Sequence, residues 1–464
     1  MATPRSCRLC EREIKVEVGH VTGDYPVMIS RLLNCLNCCA LACAFILATA
    51  SRVCAQHEGH VASHAMPEDT LASAPVTPSR TTRDSAVVAD SLLSLCRPHA
   101  AHSIEAYATC IGDGIASLSS RGNIALAMGT LDLVVHRDPS LVLLGHPLAH
   151  ALGYAVRSTP ATATKLLEQC DDRYQSGCYH GILQRYFDAR TGMPLPQTVL
   201  VAPCDGLRGT KEQFRLFDCL HGTGHGLMMY HRYDVNGSLT DCDRLRSDWD
   251  QRSCYSGVFM EHNMGARMQV FGDGSFGMHR HVMPSSSITL YKPNDLHYPC
   301  DAVGPRYRHE CYELQADLIL PAVKQDYARA GRICDSAGAA DLVQICYAGV
   351  GRNASGAAAF GFEGIKKRCD LASPAGIPFC YAGAVRHLAY APSELPRGVA
   401  FCKTVPDGAA RAQCWDGIGL QVGGFFADTE SRRKACATER SNDVAACIEG
   451  AGVAHLAMKT GKPE

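Results

Sequence analysis

Apolar and polar positions along much of the chain follow a helical pattern that recurs about every 34 residues. Short segments that begin with a cysteine, most with a glycine three positions later, repeat as CYHGI, CLHGTG, CYSGVF, CYELQA, CYAGVG, CYAGAV, CWDGIG and CIEGAG. The steps between these cysteines are 41, 35, 57, 35, 34, 34 and 33 residues, and a step of about 34 residues is the size of one helix–turn–helix unit. No strand-like alternation interrupts the final third of the chain. The pattern predicts an all-α fold of stacked helical hairpins.

Cysteine spacing predicts that each hairpin carries one disulfide bond. Most repeat cysteines have a second cysteine 11 or 12 residues upstream, where the preceding predicted helix ends. Closing loops this short contributes on the order of 3 kcal/mol each in the chain-entropy description. For the last four units the predicted pairs are Cys334–Cys346, Cys369–Cys380, Cys402–Cys414 and Cys436–Cys447. The other cysteines assigned to such bridges are Cys170, Cys178, Cys204, Cys219, Cys242, Cys254, Cys300 and Cys311.

The architecture of this repeat is similar to that of tetratricopeptide-like helical repeat proteins bridged by disulfides. The resemblance implies an α-solenoid of stacked helix–turn–helix units, and it carries over no functional residue. A glycine inside a helix costs about 0.5–1 kcal/mol relative to alanine, so a glycine that recurs in seven of the eight units needs a structural reason. We predict that the repeat glycines let neighbouring helices approach closely; they are Gly181, Gly222, Gly257, Gly349, Gly383, Gly417 and Gly450.

The N-terminal region has the composition of an export signal followed by a linker. An uncharged run from Leu32 to Ala50 follows Arg31, and Ala50 and Ala55 are both acceptable cleavage positions. Cleavage after Ala55 leaves an even set of 18 cysteines, which favours an exported, periplasmic or extracellular disulfide framework. A retained membrane anchor and a zinc site formed by CRLC and CLNC are the alternatives. The predicted segments are an upstream extension (1–27) with the true start at Met28, a signal peptide (28–55), a disordered linker (56–88), histidine-rich repeats (89–310) and cysteine-stapled repeats (311–464).

The charge balance limits the classes of partner. The chain has 45 basic and 46 acidic residues and a formal net charge of −1, so it lacks the basic excess of a nucleic-acid-binding protein. Membrane contact is predicted only through an uncleaved signal segment. The expected partner is therefore a small-molecule or a protein substrate.

Histidines are concentrated in the first part of the repeat array. Twelve of the 20 histidines lie between His136 and His309, and only His387 and His455 follow. The fold itself therefore does not require imidazole, whereas pairs of histidines four residues apart share one face of a helix and suit a metal ion. The predicted metal ligands are His146, His150, His180, His221 and His225. Their rings are expected to converge, with ring nitrogens of the last four within about 8 Å.

Glu261 and His262 extend this cluster by one repeat. They are predicted to be further ligands or an acid–base pair, and Glu261 has the alternative role of orienting a ligand histidine. The lengthened repeat at 263–299 is predicted to form a lid over the site or a solvated surface loop. His136 and His231 are interpreted as hydrogen-bonded core residues.

The predicted cofactor is a transition metal ion, with copper slightly favoured over iron or zinc. Seven of the 13 methionines fall between Met228 and Met283, and thioether together with imidazole favours copper. The corresponding function is that of a metal-dependent (copper or iron) periplasmic oxidoreductase. The alternatives are a non-catalytic binding or metal-holding module and a zinc-dependent hydrolase with Glu261 as its base.

Overall fold

The computed structural model describes residues 80–209, 213–271, 287–357, 361–438 and 440–452. Over these residues the chain forms 19 α-helices and no β-strand, which confirms the predicted all-α class. The helices are α1 Arg80–Cys96, α2 Ile104–Ser120, α3 Ile124–Arg137, α4 Gly145–Tyr154, α5 Ala163–Leu167, α6 Gly177–Asp188, α7 Gln197–Asp205, α8 Phe214–Tyr230, α9 Val235–Cys242, α10 Asp248–Phe271, α11 Arg308–Ala322, α12 Tyr327–Cys334, α13 Ala340–Ala357, α14 Phe362–Cys369, α15 Ile377–Leu388, α16 Leu395–Thr404, α17 Ala409–Phe425, α18 Thr429–Ala435 and α19 Ser441–Gly450. None of these helices has both the length and the apolar composition that a membrane crossing requires.

The first helix begins within the segment predicted to be a linker. The upstream extension, the signal peptide and most of that linker lie outside the described residues, whereas α1 begins at Arg80. The linker prediction relied on the scarcity of large apolar residues. However, α1 docks on α3 through small side chains, with Ser85 and Ala89 buried and Ser85 lying against Gly129 of α3. Disorder was therefore wrongly predicted for residues 80–88.

Aspartate residues begin the first helix of several hairpins. The side chains of Asp234, Asp326 and Asp428 accept main-chain N–H bonds at the starts of α9, α12 and α18. Such caps satisfy N–H groups that have no partner inside the helix, and each contributes about 0.5–2 kcal/mol. The first helix of each of these hairpins therefore starts at a defined residue.

Nine disulfide bonds join cysteines of the described region, and each closes a short loop. They are Cys96–Cys110, Cys170–Cys178, Cys204–Cys219, Cys242–Cys254, Cys300–Cys311, Cys334–Cys346, Cys369–Cys380, Cys402–Cys414 and Cys436–Cys447. The four pairs predicted from spacing are among them. One unit departs from the hairpin pattern, because Cys300 lies in an irregular segment before α11 and not at the end of a helix.

The repeat glycines lie where neighbouring long helices cross. A Cβ atom on Gly257 of α10 would overlap the carbonyl oxygen of His221 on α8. Likewise, a Cβ atom on Gly383 of α15 would overlap the carbonyl oxygen of Ala348 on α13. The close helix approach predicted from the repeat is therefore present at both ends of the array.

The array of long helices closes on itself within one compact unit. The main-chain N–H of Gln213, just before α8, donates to the carbonyl oxygen of Phe425 at the end of α17 (2.9 Å). The rings of Phe214 and Phe425 pack edge to face with centroids 5.3 Å apart, and the Tyr390 hydroxyl donates to Asp218 of α8. An open row of hairpins would keep such distant units apart, so these contacts distinguish the described fold from a simple solenoid.

The predicted insertion is partly helical. α10 continues to Phe271, so residues 263–271 extend a helix, while 287–304 are mostly irregular. Gly265 on this extension packs against the Tyr233 ring and Leu290, which gives the added turns a buried face. Residues 272–286, on which the lid prediction chiefly falls, lie outside the described residues.

Candidate metal centre

Five imidazole rings from three long helices meet inside the fold. α4 supplies His146 and His150, α6 supplies His180, and α8 supplies His221 and His225. Ring nitrogens of His180, His221 and His225, here called triad I, lie within 4.8 Å of one another. The same holds for His146, His150 and His180, here called triad II. The structure thus brings all five predicted ligands together, with His180 common to both triads.

The CLHGTGHGLM segment explains how these helices come so close. In α8, Gly222 and Gly226 face α6, and Gly224 faces α10; a side chain on any of them would clash with the neighbouring helix. His221 and His225 lie one turn apart, with ring centroids 4.9 Å apart. The three glycines therefore serve helix packing, and this packing brings the imidazoles of α6 and α8 within reach of each other.

Triad I has the regular spacing of three ligands around one ion. The centroids of its rings are 5.0 Å apart for His180 and His221, 4.8 Å for His180 and His225, and 4.9 Å for His221 and His225. Imidazoles bound at about 2.0–2.1 Å to a tetrahedral ion would have centroids about 5 Å apart. Triad II is less regular, with centroid distances of 4.6, 5.1 and 5.8 Å. Triad I is therefore the better match to a single metal ion.

Hydrogen bonds fix the tautomers of His221 and His225. His225 Nδ1 lies 2.7 Å from a Glu261 carboxylate oxygen, which can only accept, so this nitrogen carries the proton. His221 Nδ1 lies 2.7 Å from the Ser256 hydroxyl, which itself donates to the Ser253 carbonyl oxygen, so His221 Nδ1 also donates. Both Nε2 atoms consequently present lone pairs. They face each other at 3.2 Å, a contact that is repulsive unless a cation lies between them.

The two histidines of α4 are oriented in the same way. His146 Nδ1 donates to the Tyr174 carbonyl oxygen at 2.6 Å. His150 Nδ1 donates to the side-chain oxygen of Gln184 at 3.1 Å, and the Gln184 amide nitrogen donates to Glu261 at 2.8 Å, which fixes the direction of that amide. Both Nε2 atoms are therefore lone-pair donors as well.

His180 differs from the other four rings. Its Nδ1 lies 3.2 Å from Nε2 of His150. Its Nε2 is buried and has no hydrogen-bond partner among the described residues. This nitrogen is therefore available to a ligand that enters the cluster, such as a metal ion or a water molecule.

Burial keeps the cluster neutral. Removal from water is the largest cause that lowers the pKa of His146, His180, His221 and His225. The pKa of His225 falls to about 3, and those of His180 and His221 fall well below their ordinary value. Neighbouring imidazoles lower them further, because adjacent imidazolium ions repel each other. At pH 7 these four rings are in the neutral form that binds metal ions.

Glu261 lies behind His225, on the side away from Nε2. Its carboxylate accepts hydrogen bonds from His225, from the Gln184 amide and from the Tyr233 hydroxyl (3.0 Å), and the side chain is fully buried. The buried carboxylate raises the pKa of Tyr233 well above its ordinary value, after burial itself, which is the largest cause. Its position suits orientation of His225 and compensation of positive charge in the cluster.

The remaining predicted residues lie elsewhere. His262 belongs to neither triad in the described part of the chain, because residues adjacent on a helix point about 100° apart. Burial lowers its pKa to about 4. His231 is only partly buried and contacts Asp241 at 2.7 Å, and His136 is exposed at the end of α3. The interpretation of these two histidines as core residues was therefore wrong.

Two groups that orient the cluster, and one contact between distant parts of the chain, were missed from the sequence. Ser256 stands at the repeat position that His180 occupies in an earlier unit, a signal that the repeat contained. Gln184 lies one turn after His180 on the same helix face. His387, from the C-terminal part of the chain, has Nε2 2.8 Å from the side-chain nitrogen of Gln175. Only closure of the array brings these two residues together, since they are 212 positions apart.

The assignment of this centre depends on its own geometry. The hydrogen-bonded tautomers and the ring spacing are what define its chemistry. Comparison with protein families, curated proteins and solved structures gives no match for this chain.

Proposed function

We propose that the protein binds a transition metal ion through Nε2 of His180, His221 and His225. The observation that carries this proposal is the 3.2 Å approach of the Nε2 lone pairs of His221 and His225. Two nitrogens bound at about 2.0–2.1 Å to one tetrahedral ion would lie about 3.3 Å apart. A cation between them thus converts a repulsive contact into two bonds.

Three buried groups would hold the ligand rings in place. Glu261 orients His225, Ser256 orients His221, and His150 receives the N–H of His180 when one ion is bound. Partners of this kind are typical of metal-binding histidines and raise their basicity. Glu261 is proposed as an orienting carboxylate and not as a general base, because its oxygens already accept three hydrogen bonds.

The proposed ion is copper. Both candidate groups in the described residues consist of histidine alone, whereas non-haem iron sites commonly combine two histidines with a carboxylate. For a given nitrogen site, copper binds more tightly than zinc or iron in the usual order of divalent metals. The nearby methionines add little support for copper, because Met228 and Met229 are buried in the hydrophobic core.

The proposed reaction class is metal-dependent oxidoreduction. Three protein ligands leave a coordination position for a substrate, as in catalytic sites, whereas a structural site has four. The alternative with a specific observation in its favour is a metal-holding module, because the ligands of triad I are at most 3 % exposed. Zinc-dependent hydrolysis is less well supported, since Glu261 is fully engaged in orienting His225.

The proposed location is the periplasm or the extracellular space. The nine disulfides among the described residues favour an oxidising compartment outside the cytoplasm, and the segment 28–55 is proposed as the export signal. We further propose that the hairpins from α9 onwards are tetratricopeptide-like repeats arranged in a closed array. The recurrent bridge and the glycine crossings support this repeat unit.

Metal content tests the proposed function directly. The full chain, produced in an exporting host and purified without reductant, is loaded with Cu(II) or Zn(II), dialysed and subjected to elemental analysis. We expect at least one tightly held ion per chain, with at least one ion fewer in His221→Ala and no change in His231→Ala, which alters a histidine outside the cluster. Equal metal in both variants, or none in the unmodified protein, would overturn the proposal.

Redox behaviour separates the two candidate functions. A copper oxidoreductase should lose its visible absorption on addition of ascorbate and recover it in air, and small anions such as azide should shift the spectrum by binding the open position. A metal-holding module should show no shift with azide.

A further inference from the structure

We propose that the centre holds a second metal ion, bound by His146 and His150, with the His180 imidazole bridging the two ions. This inference rests on the proposed function, because triad I supplies the first ion. It adds a dinuclear site in which His180 uses Nε2 toward triad I and Nδ1 toward triad II. His146 and His150 thereby become ligands of the second ion.

His180 holds a unique position among the five rings. Ring nitrogens of His180 belong to both groups of converging nitrogens. Each of the other four rings has its Nδ1 hydrogen-bonded to an oxygen atom. In the described residues, the only hydrogen-bond neighbour of the His180 ring is another imidazole nitrogen. A ring whose two nitrogens are both available is the one that can bridge two ions.

Hydrogen bonds hold the rings of His146 and His150 in the orientation that a second ion needs. The Tyr174 carbonyl and the Gln184 amide fix their Nδ1 protons, so both rings direct Nε2 lone pairs into the cluster. A single ion at triad I would use neither of these lone pairs. His146 Nε2 would then be a ligand atom held in position without an ion.

The distances suit this arrangement. The ring of His150 lies 4.6 Å from that of His146 and 5.1 Å from that of His180, close to the spacing of about 5 Å for shared ligands. The centroids of His146 and His180 are 5.8 Å apart, which a wider ligand angle accommodates. Two ions on opposite nitrogens of one imidazole would be about 6 Å apart, given metal–nitrogen bonds near 2 Å.

Proton balance accompanies the bridge. Neutral His180 carries one N–H proton, and in the single-ion state this proton lies between His180 Nδ1 and His150 Nε2. Binding of the second ion replaces that hydrogen bond with two metal–nitrogen bonds and releases the proton to water. The imidazolate that remains and the buried Glu261 carboxylate offset part of the added positive charge.

Copper stoichiometry distinguishes this inference from the proposed function. The full oxidised chain is saturated with Cu(II), freed of loose ions by gel filtration, and measured by elemental analysis and by integrated electron paramagnetic resonance. We expect two copper ions per chain with a signal well below that of two isolated ions, because an imidazolate bridge couples their spins. One ion per chain would overturn the second site and leave the first intact, whereas none would overturn both. Two ions with a full, uncoupled signal would overturn the bridge.

A matched pair of variants locates the second ion. His146→Asn retains a side-chain N–H for the Tyr174 carbonyl but removes Nε2, so the fold should be preserved. We expect one copper per chain and a full uncoupled signal, while His231→Ala keeps two ions and the weakened signal. If His146→Asn still binds two coupled ions, the second site is wrong. Unchanged circular dichroism and disulfide mapping confirm that the variant is folded.

Discussion

The early and late hairpins of this protein share a scaffold but differ in the chemistry of its inner positions. Glycines bring α8 close to α10 and α13 close to α15 in the same way, and the hairpins that contain α10, α13 and α15 each carry one internal disulfide. Two residues after the repeat cysteine, the early units carry His180 and His221, whereas later units carry Ala348 and Ala382. The scaffold therefore does not depend on histidine, and the site is an addition to it.

Two units lie between these groups, and the second of them carries a charged residue at the same position. Glu313 follows Cys311 by two residues and forms an ion pair with Arg386 of α15. Nearby, Asp317 pairs with Arg352 of α13. The later helices thus carry ion pairs at and near this position, whereas the early helices carry neutral imidazoles. Within the described residues, the groups that could hold a metal ion therefore come from α4, α6 and α8.

Metal removal should have the largest effect, and it should be confined to the early helices. An ion present at a thousandfold excess over its dissociation constant stabilises the folded state by about 4 kcal/mol. We expect chelation to lower the free energy of unfolding by an amount of that order. Amide hydrogen exchange should then accelerate in α4, α6 and α8 more than in α15 and α17. Equal acceleration throughout would show that the ion supports the whole array.

Disulfide removal should affect both halves alike. Replacing both cysteines of Cys242–Cys254 or of Cys334–Cys346 by alanine should lower the free energy of unfolding by about 3 kcal/mol in each case. Only the first pair should also weaken metal binding, since α10 carries Ser256 and Glu261. Denaturant titration and metal titration of the two variants make the comparison. A loss of metal affinity from the second pair would show long-range dependence on the scaffold.

Substitution of a repeat glycine should destabilise the early and the late hairpins to a similar extent. Gly257→Ala and Gly383→Ala each place a methyl group against a carbonyl oxygen of the neighbouring helix. Overpacking of this kind costs about 1–3 kcal/mol, measurable as a lower thermal midpoint. Because the oxygen that Gly257 faces belongs to His221, this variant should also reduce metal content. Gly383→Ala should leave metal content unchanged, and a reduction there would contradict the separation of scaffold and site.

Removing the charge of Glu261, which lies behind the ligand histidine His225, should have a smaller effect. Glu261→Gln should lower metal affinity by about 10- to 100-fold, the usual consequence of altering a group that orients a ligand histidine. Glu313→Gln is the matched control, because this carboxylate occupies a comparable inner position but pairs with arginine. Isothermal titration of both variants with the same ion tests the expectation. Equal losses would mean that Glu261 acts only through general charge.

The smallest effect is expected at His387. This histidine contacts Gln175 and Ser355 but belongs to neither triad in the described residues. His387→Ala should leave bound metal unchanged, as should His455→Ala, and elemental analysis will show whether it does. A loss of metal from His387→Ala would show that the centre also depends on residues across the contacts that close the array.

Local features of this fold could be predicted because they depend on residues close in sequence. A spacing of 11 or 12 residues lets the end of one helix meet the next, so bridges such as Cys334–Cys346 follow from spacing alone. The recurring glycine likewise indicated that neighbouring helices pack closely. The four-residue spacing of His221 and His225 placed two imidazoles one turn apart on a single helix.

Tertiary structure decided which ring nitrogens carry the proton and which groups surround the rings. The sequence alone could not show that Glu261 binds Nδ1 of His225 while its neighbour His262 lies outside both triads, because that depends on how α10 is rotated against α8. Nor could it show that Gln175 meets His387, since closure of the array joins units far apart in the chain. Sequence spacing determined the repeat unit and the candidate ligands, because both depend on residues close in the chain, whereas the packing of α4, α6, α8 and α10 determined the tautomers of those ligands.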